Sequence, residues 1–182
     1  MSLIIDSLLV GFGIYSIIFC LFRVILEKRG SQLILNIDKL ASIVFAIGGL
    51  LFFGQILFNL IGSYTSAIDE LEKYSLLNRM FGPYWFVYWL QPILYLISTQ
   101  ILWIKRVRLN RLLRFLIGLL MLISFEKLII MITSLHRDYL PSLWITPVSI
   151  ILINWTTYMG IFVLIVGCVY LIEQKILNRK TV

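Results

Sequence analysis

Hydrophobic positions along this chain fall into five long blocks divided by short polar punctuation, with no period-two alternation of the strand type. The blocks cover about residues 3 to 24, 40 to 62, 84 to 104, 112 to 134 and 145 to 173. Each is close to the roughly 20 apolar residues that a membrane-crossing helix needs. The pattern predicts an all-α polytopic membrane protein, one domain over residues 1–182, built as a four-helix bundle plus one helix. Between the first two blocks "SQLILNIDKL" reads as a short amphipathic lead into helix two. "SYTSAIDELEKYSLLNRM" is the longest polar segment, and it predicts a surface helix in which Ser66, with Asp69 and Glu70 behind it, has the pattern of an N-terminal cap.

Composition agrees with that picture and changes one part of it. Of the 182 residues 60% are hydrophobic, and the mean hydropathy of +0.97 is too high for a soluble globule. The net charge of +7 would suit a nucleic-acid binder, but its distribution points elsewhere. Lys28 and Arg29, then Lys105, Arg106, Arg108, Arg111 and Arg114, then Lys175, Arg179 and Lys180 all fall on one side of the predicted helices. The opposite loops carry Asp69, Glu70, Glu72 and Asp138 against Lys73, Arg79 and Arg137. By the positive-inside rule the basic side is cytoplasmic, which puts the N-terminus outside and the C-terminus inside. The first block carries Asp6 where a signal peptide has a basic region, and it shows no small-residue cleavage site, so it is expected to persist as a helix. No nucleic-acid partner is expected.

Candidate chemistry is sparse. Cys20 and Cys168 lie inside predicted helices without a Cys-x-x-Cys spacing, and His136 is the single histidine, so no metal site, disulfide or bis-histidine haem is expected in this chain alone. Glu126 and Lys127 stand side by side within an oily run. If helix four begins near Leu112, Glu126 lies about 21 Å along it, past the midplane. A charge there is costly unless paired, so the two are either partners for neighbouring helices or members of a proton relay. Asp38 and Lys39, at the cytoplasmic mouth of helix two, are open to the same two readings: a solvated interfacial pair or a proton entry. His136, Arg137 and Asp138 match the start of a kinase catalytic loop, but no Gly-rich loop or Asp-Phe-Gly accompanies them, and they read as the outer end of a helix meeting water. Tyr84, Trp85, Phe86, Tyr88 and Trp89 form an aromatic belt behind the Gly82-Pro83 turn. Pro92 is expected to bend helix three. Ser42, Ala46 and Gly49 make a small-residue stripe for close helix approach, and Gly160 and Gly167, seven apart, read as a second packing face.

Five strings taken together, "VGFGIYSIIFCLFRVI", "NIDKLASIVFAIGG", "NRMFGPYWFVYW", "QILWIKRVRLN" and "FEKLIIMITSLHRDYLPSLW", resemble in order and spacing the second half of the NrfD-like membrane subunits of the polysulfide reductase family. Within that family they are most similar to the quinol-oxidising membrane subunits of bacterial alternative complex III. The resemblance covers about residues 10 to 150 and is most specific in "LWIKRVRLN" and "ITSLHRDYLPS". It implies a helical bundle in the bacterial inner (cytoplasmic) membrane, beneath a periplasmic iron–sulfur or cytochrome c subunit and near a quinol site. It also implies a polar proton path in which Glu126, Lys127, Asp38 and Lys39 are candidates. Quinone or partner contacts at the outer face would fall to His136, Arg137, Asp138, Tyr84 and Trp85.

Departures from the family limit what the resemblance implies. Members carry two bundles, and this chain matches one bundle and a following helix. Asp6 is the nearest polar residue where the family has a histidine before its helix. Asn36 stands in place of a histidine, Phe58 in place of a glutamate, and Tyr95 in place of an asparagine. Those groups would bind a quinol headgroup and accept its protons, so the chain is expected to have no catalytic residue and no cofactor of its own. A quinone is a candidate ligand, lipids and other membrane subunits are the expected neighbours, and haem and iron–sulfur clusters are expected in partner subunits. The expectation is therefore an accessory subunit of a quinol oxidoreductase complex, with a purely structural assembly or supercomplex-linking protein as the alternative. An independent small transporter fits less well, because the five blocks show no inverted repeat.

Overall fold

The computed structural model describes residues 3–28, 32–67, 69–83, 85–123 and 148–180, and among these all regular structure is helical. The helices are α1 (Leu3–Lys28), α2 (Gln32–Ser66), α3 (Glu70–Phe81), α4 (Trp85–Gln100), α5 (Lys105–Leu109), α6 (Arg111–Leu122) and α7 (Val148–Lys180). A single 3-10 turn, Ile101–Trp103, joins α4 to α5. Three stretches are long and apolar enough to cross a membrane: Leu3–Phe22, Leu33–Ser66 and Ser149–Leu177.

The remaining two expected spans take different forms. The block expected over 84 to 104 takes the form of α4 followed directly by the 3-10 turn, with extended backbone at Ile104 (φ −75°, ψ 113°), where the block was expected to end. α6 stops at Leu122, and Ile123 has extended backbone (φ −106°, ψ 108°), so the unbroken helix expected over 112 to 134 does not pass that residue. Glu126, to which a depth of about 21 Å was assigned on such a helix, lies outside the described residues. The segment "SQLILNIDKL" is likewise no separate element, since α2 runs through it from Gln32. Ser66 closes α2 and caps nothing. The residue before α3 is Asp69, whose backbone carbonyl, not its side chain, accepts from the amides of Glu72 and Lys73. Pro92 lies inside α4, which continues through it.

α1 is the centre of the bundle, with α2, α6 and α7 around it and α4 on the far side of α2. Phe12 stacks on Phe45 with ring centroids 3.9 Å apart, and Phe162 meets Phe12 edge-on at 6.0 Å. All three are fully buried. Glycines set the closest approaches. A Cβ on Gly13 would lie 3.0 Å from the carbonyl oxygen of Gly118, and one on Gly11 2.6 Å from Cβ of Phe162, so α1 touches α6 and α7 nearly backbone to backbone. The stripe Ser42, Ala46, Gly49 behaves as its composition predicts: Gly49 receives Thr99, and Gln100 Nε2 donates to the carbonyl of Ala46 at 2.9 Å. Gly160 and Gly167 do not. No atom would lie within 4 Å of a Cβ at either position, so that pair packs against nothing among the described residues.

These contacts also fix the register. α1 pairs antiparallel with α2 through Leu8 on Gly48 and Tyr15 on Asp38, whereas α4 pairs with α2 through Tyr95 beside Phe52 and Thr99 on Gly49. α2 therefore continues past the start of α1 by about 13 residues, or ~20 Å. This extension, with α3 and the first turns of α4, forms one end of the molecule. The basic residues of α5, α6 and the close of α7 gather at the other.

Candidate functional site

The most polar buried constellation lies toward the basic end, where α1, α2 and α6 meet. Asn110 starts α6 by accepting, through its side chain, from the amides of Leu112 and Leu113 at 3.0 and 3.3 Å. Arg114 follows one turn later. With Ile117, Gly118 and Met121 it forms the buried face of the helix, at i, i+3, i+4 and i+7. That phase aims a guanidinium at the bundle interior.

Arg114 and Asp38 are each 1% exposed. Nη1 donates to Asp38 Oδ2 at 2.9 Å and Nη2 to Oδ1 at 2.5 Å, a bidentate fork across two helices. Nε donates to Ser16 Oγ at 3.0 Å, and Nη1 also reaches the carbonyl of Arg108 at 3.5 Å. The Ser16 hydroxyl in turn donates to the carbonyl of Arg114 at 3.2 Å. Tyr15 adds a third donor to the carboxylate, its hydroxyl lying 3.2 Å from Oδ1. Above the guanidinium the Phe19 ring centroid is 4.4 Å away, with Phe12 and Tyr15 each at 5.6 Å. The unit is net neutral and its charges are matched within the chain, which is the condition under which a charged pair persists in a dry interior.

Beside it an apolar crevice of about 240 Å³ opens between α1, α2 and α7, lined by Tyr15, Ile37, Ala41, Phe162, Val166 and Tyr170 among others. Tyr15 therefore joins the crevice to the ion pair. Among the described residues no three His, Cys, Asp or Glu side chains come together as a metal site.

Of the residues singled out in sequence, Asp38 is in this unit and is buried, which excludes the solvated interfacial reading. Lys39 is exposed and takes no part. Trp85 is 54% exposed at the opposite end, and Trp89 behind it donates from its indole to the carbonyl of Met80, tying α4 to α3. Tyr84, Glu126, Lys127, His136, Arg137 and Asp138 lie outside the described residues. Arg114, counted in the sequence with the basic residues of the cytoplasmic side, is buried in the bundle instead. Its phase with Ile117, Gly118 and Met121, one turn past an Asn cap, was the available signal, as was the phase of Ser16 with Phe12 and Phe19.

A scan of known protein families finds none that matches the chain, and a search of curated proteins finds no match either.

Proposed function

We propose that this chain is an integral membrane subunit of a bacterial respiratory quinol oxidoreductase complex of the alternative complex III kind, in an accessory rather than a catalytic role. The observation that carries the accessory role is the buried Asp38–Arg114 unit: every charged group in it is taken up by a partner in the same chain. Such a unit fastens α1, α2 and α6, and among the described residues that line the crevice none is an unclaimed base able to receive a quinol proton. The respiratory assignment rests on the five sequence strings and on the basic end, which the positive-inside rule puts in the cytoplasm of a five-crossing bundle. The crevice beside Tyr15 suits an isoprenoid tail, of quinone or lipid, running along the bundle. Partner subunits supply haem, iron–sulfur clusters and the quinol-oxidising groups.

Membranes from cells lacking the chain should oxidise quinol more slowly than the parent, with recovery on re-expression, and an unchanged rate overturns the proposal. A second reading, an assembly or supercomplex-linking protein, is favoured by the same saturated pair. Glu126→Gln separates the two: a slower rate in a normally assembled complex supports a proton role, and an unchanged rate supports the linker.

A further inference from the structure

At the end of the molecule opposite the ion pair, α2, α3 and α4 enclose a cleft of about 470 Å³ lined by Ser63, Ser66, Glu72, Ser75, Arg79 and Tyr88. Glu72 and Arg79 are seven residues, or about two turns, apart on one face of α3, so a carboxylate and a guanidinium stand about 10 Å apart along the cleft with Ser75 between them. They form no ion pair with each other, and Ser75 spends its hydroxyl hydrogen on the carbonyl of Glu72 at 2.8 Å. The other side of α3 is mixed: Leu71, Tyr74 and Phe81 are 81%, 70% and 73% exposed, with Glu70 and Asn78 exposed among them. Large apolar and aromatic side chains exposed beside charged ones on one short helix suit an interface of lipid and water.

The depth agrees. Ser63 and Ser66 sit at the end of the apolar run Leu33–Ser66, and Tyr88 belongs to the aromatic cluster Trp85, Phe86, Tyr88 and Trp89 that opens α4. Aromatic residues of this kind concentrate at headgroup level.

We propose that this cleft binds the headgroup of phosphatidylethanolamine. Arg79 takes the phosphate, for which a guanidinium fork is suited. Glu72 accepts from the ammonium, and the hydroxyls of Ser63 and Ser66 are acceptors for its other N–H groups. One acid and one base at opposite ends of the cleft match a zwitterion. A phosphatidylglycerol headgroup would meet Arg79 but leave Glu72 without a cation, and a choline headgroup has no N–H to donate. The proposal rests on α2 crossing a membrane and not on the respiratory assignment, so the two fail independently.

The test is native mass spectrometry of the detergent-solubilised full chain, titrated with phosphatidylethanolamine, phosphatidylcholine and phosphatidylglycerol carrying the same acyl chains. The expected result is a preference for phosphatidylethanolamine of more than about two-fold, and up to about five-fold, over both others, the scale of one charge-assisted contact near a surface. Glu72→Gln should erase the preference over phosphatidylglycerol, and Arg79→Gln should weaken both phosphatidylethanolamine and phosphatidylglycerol by a similar factor. Both side chains are exposed, so neither variant should disturb folding, which circular dichroism checks. Wild-type binding of the three lipids within about two-fold of one another, or either variant keeping the wild-type pattern, overturns the proposal.

Discussion

Replacing Arg114 with Met removes the guanidinium but keeps much of its volume, and leaves Asp38 as an unpaired carboxylate that is 1% exposed. Taking one partner from a buried pair costs about 3–5 kcal/mol, and loss of the contact over Phe19 falls within that range. Asp38→Leu alone strands the guanidinium and should cost a similar amount. The double variant Asp38→Leu/Arg114→Met strands neither charge. Well-packed apolar replacement of a buried pair is neutral or stabilising by about 1–4 kcal/mol in other proteins. Here Tyr15 and Ser16 lose their partners as well, at about 1 kcal/mol or more each, so the double variant should lie within about 2 kcal/mol of wild type. With each single costing at least about 3 kcal/mol and the double at most about 2, the coupling between the two positions is at least about 4 kcal/mol. Denaturant titration in a fixed detergent, followed by tryptophan fluorescence and far-ultraviolet circular dichroism, measures all four corners of this cycle. A single variant within about 1 kcal/mol of wild type, or a double variant no better than the worse single, would refute the reasoning that the unit is dry and internally matched.

Ser16→Ala should cost about 1–3 kcal/mol in the same titration, because Nε of Arg114 is left buried without an acceptor. Gly11→Leu should destabilise by about 1–3 kcal/mol or separate α1 from α7, since its Cβ would lie 2.6 Å from Phe162. Gly160→Ala, whose Cβ meets nothing within 4 Å, should instead be neutral or stabilising by up to about 1 kcal/mol in a thermal melt. For topology, with Cys20 and Cys168 replaced by Ala, a cysteine at Lys105 should react with a membrane-impermeant maleimide only from the cytoplasmic side, and one at Ser66 only from outside. The reverse pattern inverts the orientation.

How far the architecture could be read in advance depended on which physical signal each element carried. Hydropathy gave α1, α2 and α7 because a stretch of 20 to 34 apolar residues has few soluble alternatives. It placed the end of the third block at Ile104, where the backbone turns extended, but missed the break at Ile123, since a change of backbone angle inside an apolar run leaves composition unchanged. α3 was expected from its polar character, but its cap was placed three residues early because an Asx or Ser pattern recurs through "SYTSAIDE". At the site, charge counting assigned Arg114 to the loop cluster with Arg108 and Arg111, because a positive-inside tally has no sense of helix phase. Asp38 was located correctly along the chain, and its burial was not, because only the fold brings Tyr15 and Arg114 around it. The stripe of Ser42, Ala46 and Gly49 succeeded where Gly160 and Gly167 failed for one reason: a small residue permits a close approach, and a neighbour on the matching face decides whether it happens.

The central claim is that this bundle works lodged among redox-active membrane subunits. Its most direct test is purification of the chain from its own membranes in a mild detergent, with partners identified by mass spectrometry and the absorption spectrum recorded before and after dithionite. The account predicts co-purification with a larger membrane subunit and with a haem or iron–sulfur protein whose spectrum changes on reduction. A chain recovered alone, or with partners that carry no redox centre, would contradict it.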